Sequence, residues 1–599
     1  MSKITVLPSN ETIEYQHGKS LLDILCDKGL LSESPCGGKG ICGKCKIVVE
    51  GDLPEVTQTE TSVLSSREQK EGYRLACIVY PEGDIKVKLE NKHTTHRILT
   101  GGYMPDFELN PFIRKVPFTL ESPKIGEHIS YEEIFLKNTG ALEIEYNALK
   151  VLPTEQGEYT LVLAGNKIIH IEAGDTSNKR YGIAIDIGTT TVVASLIDMN
   201  TGEELASESS INTQKQYGLD VITRITYVLE NPLEGLKNLQ NNIVHCLNKM
   251  VELLCVKTHI DKKNIYEAAV AANNTMLHLL LGVQPDSIGC SPFAPVFNGA
   301  KYIKASLAGL ELPEYAMLYC LPSVSSYIGS DIVAGAYVSQ IYKKQGNVLF
   351  IDIGTNGEIL FSSNGKIVSC SCAAGPALEG MNISSGMRAA DGAIEEISLK
   401  QGKSDIKVIG NKEPEGICGS GIMAALRELI QEGFIRKDGA IYKEKDLNEK
   451  QLPMLWQEGK NKGIILYEKN ENKIIITQKD IRQVQLAKGA ILSGFYALLD
   501  NMGVSMEGLD EILIAGQFGS HLTADSLIGS GILPLGTENK ISYIGNTSKA
   551  GAQVALLSAE ARLEMEKLAS YIDYIELSAM EDYEKLFIKC LEFPEKKGE

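Results

Sequence analysis

No apolar run in this sequence approaches the roughly 18–20 residues needed to span a bilayer. Its opening stretch, MSKITVLPSNETIEYQHGKS, has no apolar h-region of the secretory kind. Membrane insertion is therefore not expected, and a cytoplasmic location is. Positive charge is in deficit: 59 Lys and Arg stand against 77 Asp and Glu, a formal charge of −18, which argues against a binder of nucleic-acid phosphates. Cysteine is sparse and odd in number, 13 in 599 residues, so a secreted disulfide framework fits badly and clustered thiols read better as metal or redox ligands. With 56 Gly and 20 Pro the chain lies outside the collagen-like and disordered classes. Its length predicts about three to five domains, each able to bury a core.

Four of the cysteines, Cys36, Cys42, Cys45 and Cys77, form C-x5-C-x2-C followed by a distant fourth. Three thiols share the loop PCGGKGICGKC, whose glycines let backbone amides turn toward cluster sulfurs. Plant-type ferredoxins space the first pair one residue closer. The pattern here resembles ferredoxins of the adrenodoxin type, which implies a [2Fe–2S] cluster held by these four. A structural zinc site is the competing reading, but it ordinarily uses two C-x2-C knuckles and only one is present. Around the thiols, KITVLPS and ETIEYQ alternate as a hairpin, SLLDILCDKG has helical spacing, and KCKIVVEG and DIKVKLE read as strands, the order of a β-grasp ferredoxin. Cys26 falls on the apolar face of that helix and is expected to be a core thiol.

Far downstream, YGIAIDIGTTTVVASLID predicts a buried strand, a tight turn and a second strand, with Asp186, Gly188, Thr189, Thr190 and Thr191 at the turn. Such a hairpin aims amides and hydroxyls at a phosphate chain, while a carboxylate at the strand end holds Mg²⁺ waters. The unit recurs as NVLFIDIGTNGEILFSSNG, with Asp352, Gly354, Thr355, Asn356, Gly357 and Glu358 in the corresponding places. Neither hairpin carries a Walker A pattern, which excludes a P-loop reading. The repetition resembles the superfamily of acetate and sugar kinases, heat-shock cognate chaperones and actin. That likeness implies a duplicated ATPase in which Asp186 and Asp352 begin the two phosphate motifs. ILIAGQFGSHL then supplies an adenosine element with Gly516 and Gly519, and QLAKGAILSG a connecting helix. Asp186, Asp352 and Glu358 are the candidates for organising Mg²⁺ or positioning the hydrolytic water.

These pieces give a multidomain α/β and α+β chain: a ferredoxin unit at 1–91, a polar connector at 92–120, a small α+β middle unit at 121–178, and a two-halved actin-like ATPase at 179–599. Within the last, CAAGPALEG and EGICGSGIM read either as nucleotide or hinge elements or as tight strand-to-helix turns. His278, on an apolar helix, is expected in the core, and Asp331, near a helix start, is read first as a cap facing the dipole and alternatively as a Mg²⁺ or nucleotide contact. Cys370 and Cys372 share a strand face without further ligands nearby, and the tail FPEKKGE is expected to fray.

A [2Fe–2S] ferredoxin unit ahead of a duplicated DIGT ATPase, together with QYGLDVITRI, AANNTMLHLL, CAAGPALEG and GICGSG, resembles the reductive activators of corrinoid proteins over nearly the whole chain. The resemblance implies ATP-dependent transfer of one electron from the cluster to a partner corrinoid protein whose cobalt has slipped to Co(II), regenerating Co(I) for methyl transfer. It also implies an upstream electron donor, an anaerobic setting and a homodimer through the ATPase unit. Two other readings compete. One is an ATP-coupled donor to another low-potential acceptor, as in dehydratase activators, which place a [4Fe–4S] cluster between two subunits. The other is a nucleotide-binding redox sensor without coupled turnover, or a plain small-molecule kinase, for which the amino-terminal cluster has no use.

Overall fold

The computed structural model of the protein describes residues 2–7, 11–15, 17–28, 30, 40, 45–88, 103–400, 402–469, 472–516 and 522–595, with the side chains of residues 26, 27, 66 and 67 outside that description. Cys36, Cys42, Gly519 and the side chain of Cys26 thus lie outside it.

The first unit is a five-stranded mixed sheet ordered Glu11–Tyr15, Ser2–Leu7, Ile85–Lys88, Lys46–Gly51, Tyr73–Leu75. Ser2–Leu7 runs antiparallel to the first of these and parallel to Ile85–Lys88. Period-two alternation puts Ile4, Val6, Ile13, Ile47, Val49 and Val87 on the buried face, where the helix Leu21–Asp27 covers them with Leu21, Leu22 and Leu25. This is the expected β-grasp order. The short strand Tyr73–Leu75 and the helix Gln58–Val63, capped reciprocally by Thr57 and Glu60, carried no strong periodicity and are additions to it.

The middle unit is a four-stranded sheet ordered Ile113–Leu120, Gly157–Ala164, Lys167–Ala173, Glu143–Ile144, with the helix Tyr131–Thr139 on one face. Ser130 caps that helix and Gly140, at φ 66°, ends it. The strand Ile113–Leu120 corrects the connector reading of 92–120, because it pairs with Gly157–Ala164 along its whole length. It was hidden because it is an edge strand with Pro117 inside it and only its two end residues buried. The chain before it is also docked: Tyr103 N donates to Ile544 O at 3.0 Å, and Asn110 bonds across the Leu557–Ala559 helix junction. The sheet's other face packs Ile113, Val162 and Ile169 onto the part of the chain that follows it. Lys115 fixes that interface, donating to Glu172 at 2.7 Å and to Tyr266 at 2.8 Å.

The remainder forms two lobes, each around a six-stranded sheet. In the first, Tyr181–Ile187 is antiparallel to Thr191–Asp198 and parallel to Ile265–Ala272; in the second, Val348–Ile353 is antiparallel to Gly357–Ser363 and parallel to Glu511–Ala515. The duplication seen in the DIGT hairpins is therefore a duplication of whole sheets. A long helix, Gly235–Thr258, covers the first sheet with Leu239, Ile243, Leu247, Val251 and Leu254, and Gln478–Met502 covers the second. Ser330–Val338 and Thr547–Leu557 pack together between the lobes. Their contact depends on Gly551, where a Cβ would sit 2.4 Å from that of Ala334.

His278 is fully buried and bonded to Asn274 and Val296, as expected of a core histidine. The expected frayed tail is corrected at Phe593, which is buried under the Lys488 ammonium, 5.3 Å from its ring centre; its apolar ring outweighs the charged neighbours that mark the segment as polar. Among the described residues no helix is long and apolar enough to cross a membrane.

Candidate functional site

Two places carry the chemistry-bearing residues. In the first unit, Cys45 opens the strand Lys46–Gly51 and Cys77 follows Tyr73–Leu75, and these neighbouring antiparallel strands bring the two sulfurs to 3.2 Å, both buried. Ala76 N bonds to Cys45 O at 3.1 Å, tying the two ligand segments together. Thiols this close, from segments 32 positions apart, fit two ligands of one iron. Behind them Arg74 forms a bidentate pair with the fully buried Glu60 at 2.8 and 3.0 Å, and Leu75 N donates to the same carboxylate. This pair was not singled out in the sequence, since its partners lie on a helix and a strand that periodicity did not reveal.

The second place is the cleft between the lobes. Asp186, Gly188, Thr189, Thr190, Thr191, Asp352, Gly354, Thr355, Asn356, Glu358 and Gly516 all line it. Both DIGT turns are stitched from within, Gly188 N to Thr191 O at 2.8 Å and Gly354 N to Asn356 O at 2.9 Å. Across the cleft the Thr190 and Thr355 hydroxyls meet at 3.1 Å. Gly357, expected beside them, instead packs under the long helix: a Cβ there would lie 2.8 Å from Ile491 Cγ1, so its small size serves packing.

The structure adds further residues to the cleft, some outside any motif and some inside the two glycine clusters. Asn546 and Ser548, at the start of Thr547–Leu557, donate to the two oxygens of Asp186 at 2.9 and 2.7 Å. Asn273 donates to Thr189 Oγ1 at 3.0 Å, and Glu379 accepts from Thr355 Oγ1 at 2.7 Å. Arg224, fully buried, donates to Thr189 O and holds the first turn from behind. Arg388 and the segment Cys418–Ser420 also face the cleft. Both glycine clusters are thus strand-to-helix turns that also line the cleft. Asp331, in the first turn of Ser330–Val338, accepts from the Ile332 amide and also lines the cleft, so its two readings meet in one residue.

Electrostatically the cleft crowds its carboxylates together. Burial pushes Asp331 and Asp352 up to about 7, with Asp186 adding repulsion to both and Asp352 to Asp331. Burial, then Asp331 and Asp352, hold Glu358 well above the usual carboxylate range. Burial also raises Asp186, against the hydrogen bonds from Asn546 and Ser548. Carboxylates so crowded favour a divalent cation. Among the described residues no three acidic, His or Cys side chains converge to ligate an ion directly, so these residues fit a hydrated cation held through its waters.

Three family models match the chain: a 2Fe-2S iron-sulfur cluster binding domain over residues 4–82, a RACo middle region over 181–344, and the C-terminal ASKHA domain of RACo over 346–599. The chain is 34% identical to the corrinoid activation enzyme RamQ of Eubacterium limosum, over 92% of each protein. It is 24% identical to the [Co(II) methylated amine-specific corrinoid protein] reductase of Methanosarcina barkeri, over 68% of this chain and 76% of that one. Among solved structures it resembles the reductive activator for a corrinoid, iron-sulfur protein, with a TM-score of 0.73 and 32% identity over 99% of both chains.

Proposed function

The chain belongs to the reductive activators of corrinoid proteins, and from that membership we propose that it spends ATP in the two-lobed cleft to drive one electron onto a corrinoid protein, returning Co(II) to Co(I). It is an ATP-dependent iron–sulfur reductase acting on a corrinoid partner. In the proposed site Cys45 and Cys77, together with Cys36 and Cys42, would hold the [2Fe–2S] cluster. When bound, the cluster supplies a single electron at low potential, near about −400 mV in plant-type centres. Each 59 mV by which the acceptor lies lower costs about 1.4 kcal/mol, which is why a second energy source sits on the same chain.

The chain's own residues divide the work. Thr189, Thr190 and Thr191 from one lobe, and Gly354, Thr355 and Asn356 from the other, grip the phosphate chain. Asp186 and Asp352 would hold Mg²⁺ through its waters, with Asp331 beside them, and Glu358 would orient the hydrolytic water. Gly516 stands against Asp352, where a Cβ would run into the carboxylate, so only glycine lets this element approach the second phosphate motif. Asn546 and Ser548 carry the state of Asp186 into the interlobe helix Thr547–Leu557. ATP and ADP then favour different lobe arrangements, and the partner is bound unequally by the two. An upstream donor reloads the cluster, and two copies associate through the ATPase unit.

The single observation that carries this reading is the pairing, on one chain, of a buried close thiol pair with a cleft where two like hairpins meet hydroxyl to hydroxyl. The test is anaerobic visible spectroscopy of the reduced protein mixed with Co(II) corrinoid proteins, with and without Mg·ATP. Co(I) is expected only with ATP and is lost in Cys42→Ala and Asp352→Ala. A reducible cluster that leaves every corrinoid partner at Co(II) would overturn the acceptor and keep the two-module chain.

A further inference from the structure

We propose that Arg388 is the ligand of the nucleotide's terminal phosphate, the group by which the cleft tells a triphosphate from a diphosphate; this rests on the nucleotide-site reading above. Among the described residues lining the cleft, Arg388 is the one Lys or Arg side chain, against a wall of carboxylates. Its Nε and Nη1 are buried and have no hydrogen-bond partner. Buried donors in folded proteins are nearly always satisfied. Two orphaned donors on one guanidinium, in an open cleft, mark the place of an acceptor that arrives with a ligand. Glu379, the carboxylate carried by the adjoining loop, is engaged instead by the Thr355 hydroxyl.

The chemistry of the acceptor follows from the guanidinium. Its charge and its two orphaned donors, which lie on different edges of the plane, suit a group that carries several charged oxygens, such as a phosphoryl group. Its place along the phosphate chain follows from the backbone. Met387 O presses on Gly380, where a Cβ would lie 2.5 Å away, and Gly380 follows Glu379. Glu379 in turn accepts from Thr355, which meets Thr190 at 3.1 Å. Arg388 is thus mounted on the shelf that carries the hydroxyl pair joining the hairpins, at the phosphate end of the cleft. The terminal phosphoryl group carries the most charge and is the part lost on hydrolysis. A cation placed there makes the protein's affinity depend on nucleotide state, which a nucleotide must do to shift a conformational equilibrium.

The test is calorimetric titration of the full-length, cluster-loaded protein, kept anaerobic, with Mg·ADP and with a non-hydrolysable Mg·ATP analogue. Arg388→Gln is expected to weaken the triphosphate analogue by about 10- to 100-fold while leaving ADP within about twofold, and Arg388→Lys to recover part of the loss. Retained ADP binding shows that the variant is folded. Equal loss for both nucleotides, or no loss for either, would overturn the assignment while the cleft remains a nucleotide site. Failure of the unaltered protein to bind either nucleotide would instead remove the nucleotide reading, and this proposal with it.

Discussion

Thr190 Oγ1 and Thr355 Oγ1 lie 3.1 Å apart, each at the turn of a DIGT hairpin and each from a different six-stranded sheet. The contact places the two halves of the duplication face to face at one point. A ligand held there touches both lobes at once, so its presence or loss bears on the angle between them.

Removing either hydroxyl should therefore impair hydrolysis without unfolding a lobe. Thr190→Val and Thr355→Val are each expected to lower kcat/KM for ATP by about tenfold or more, the value of one lost charge-assisted hydrogen bond. Phosphate release at fixed corrinoid partner concentration measures it. Full activity in both variants would place the phosphates elsewhere.

The acidic cleft should make stability fall with pH when no cation is present. Asp331 and Asp352 are pushed up to about 7, so between roughly pH 4 and 7 the folded chain holds protons that the unfolded chain has released. Their contribution favours the folded state below that window and is lost as pH rises through it. In chelator the melting temperature of the ATPase lobes should drop from pH 5.5 to 8, and Mg²⁺ should flatten the slope by compensating the carboxylates. A slope unchanged by Mg²⁺ would mean that the cation does not occupy this cleft.

In the ferredoxin unit the Glu60–Arg74 pair is a structural hinge pin for Cys77. Arg74→Met leaves a fully buried carboxylate uncompensated and should destabilise that unit by about 3–5 kcal/mol. Thermal loss of visible circular dichroism should move down in temperature while nucleotide binding stays as it was. An unchanged transition would show that the pair is dispensable.

Cluster and nucleotide should also be separable. Cys77→Ser is expected to weaken or abolish the cluster absorption and the Co(I) signal, while basal ATP hydrolysis persists, because the thiols and the cleft share no residue. Loss of basal hydrolysis in that variant would indicate that the ferredoxin unit helps to fold the cleft.

Much of this was legible in the residue order. Thiol spacing, the strand alternation around it and the repeated strand, DIGT and strand units are local patterns, and local patterns survive in a sequence. What they left out has a common cause. The strand Ile113–Leu120 was obscured by Pro117 and by an exposed face, so it reads as a connector until its partner strand is seen. The tail carrying Phe593 looked frayed because one buried ring among charged residues makes no periodic signal.

The sequence by itself determined which chemistry the chain could support: four thiols with cluster spacing, two phosphate hairpins, and no apolar span. Only the tertiary structure decided which side chains act together. Asp186 meets Asn546 and Ser548, Thr190 meets Thr355, and Arg388 enters a cleft of carboxylates, in each case across separations in the chain that no spacing rule encodes. The physical reason is that a cleft is made by packing two sheets against shared helices. Its polar lining comes from whichever loop ends that packing brings to the same edge, and its shifted acidities exist only once those ends are buried together.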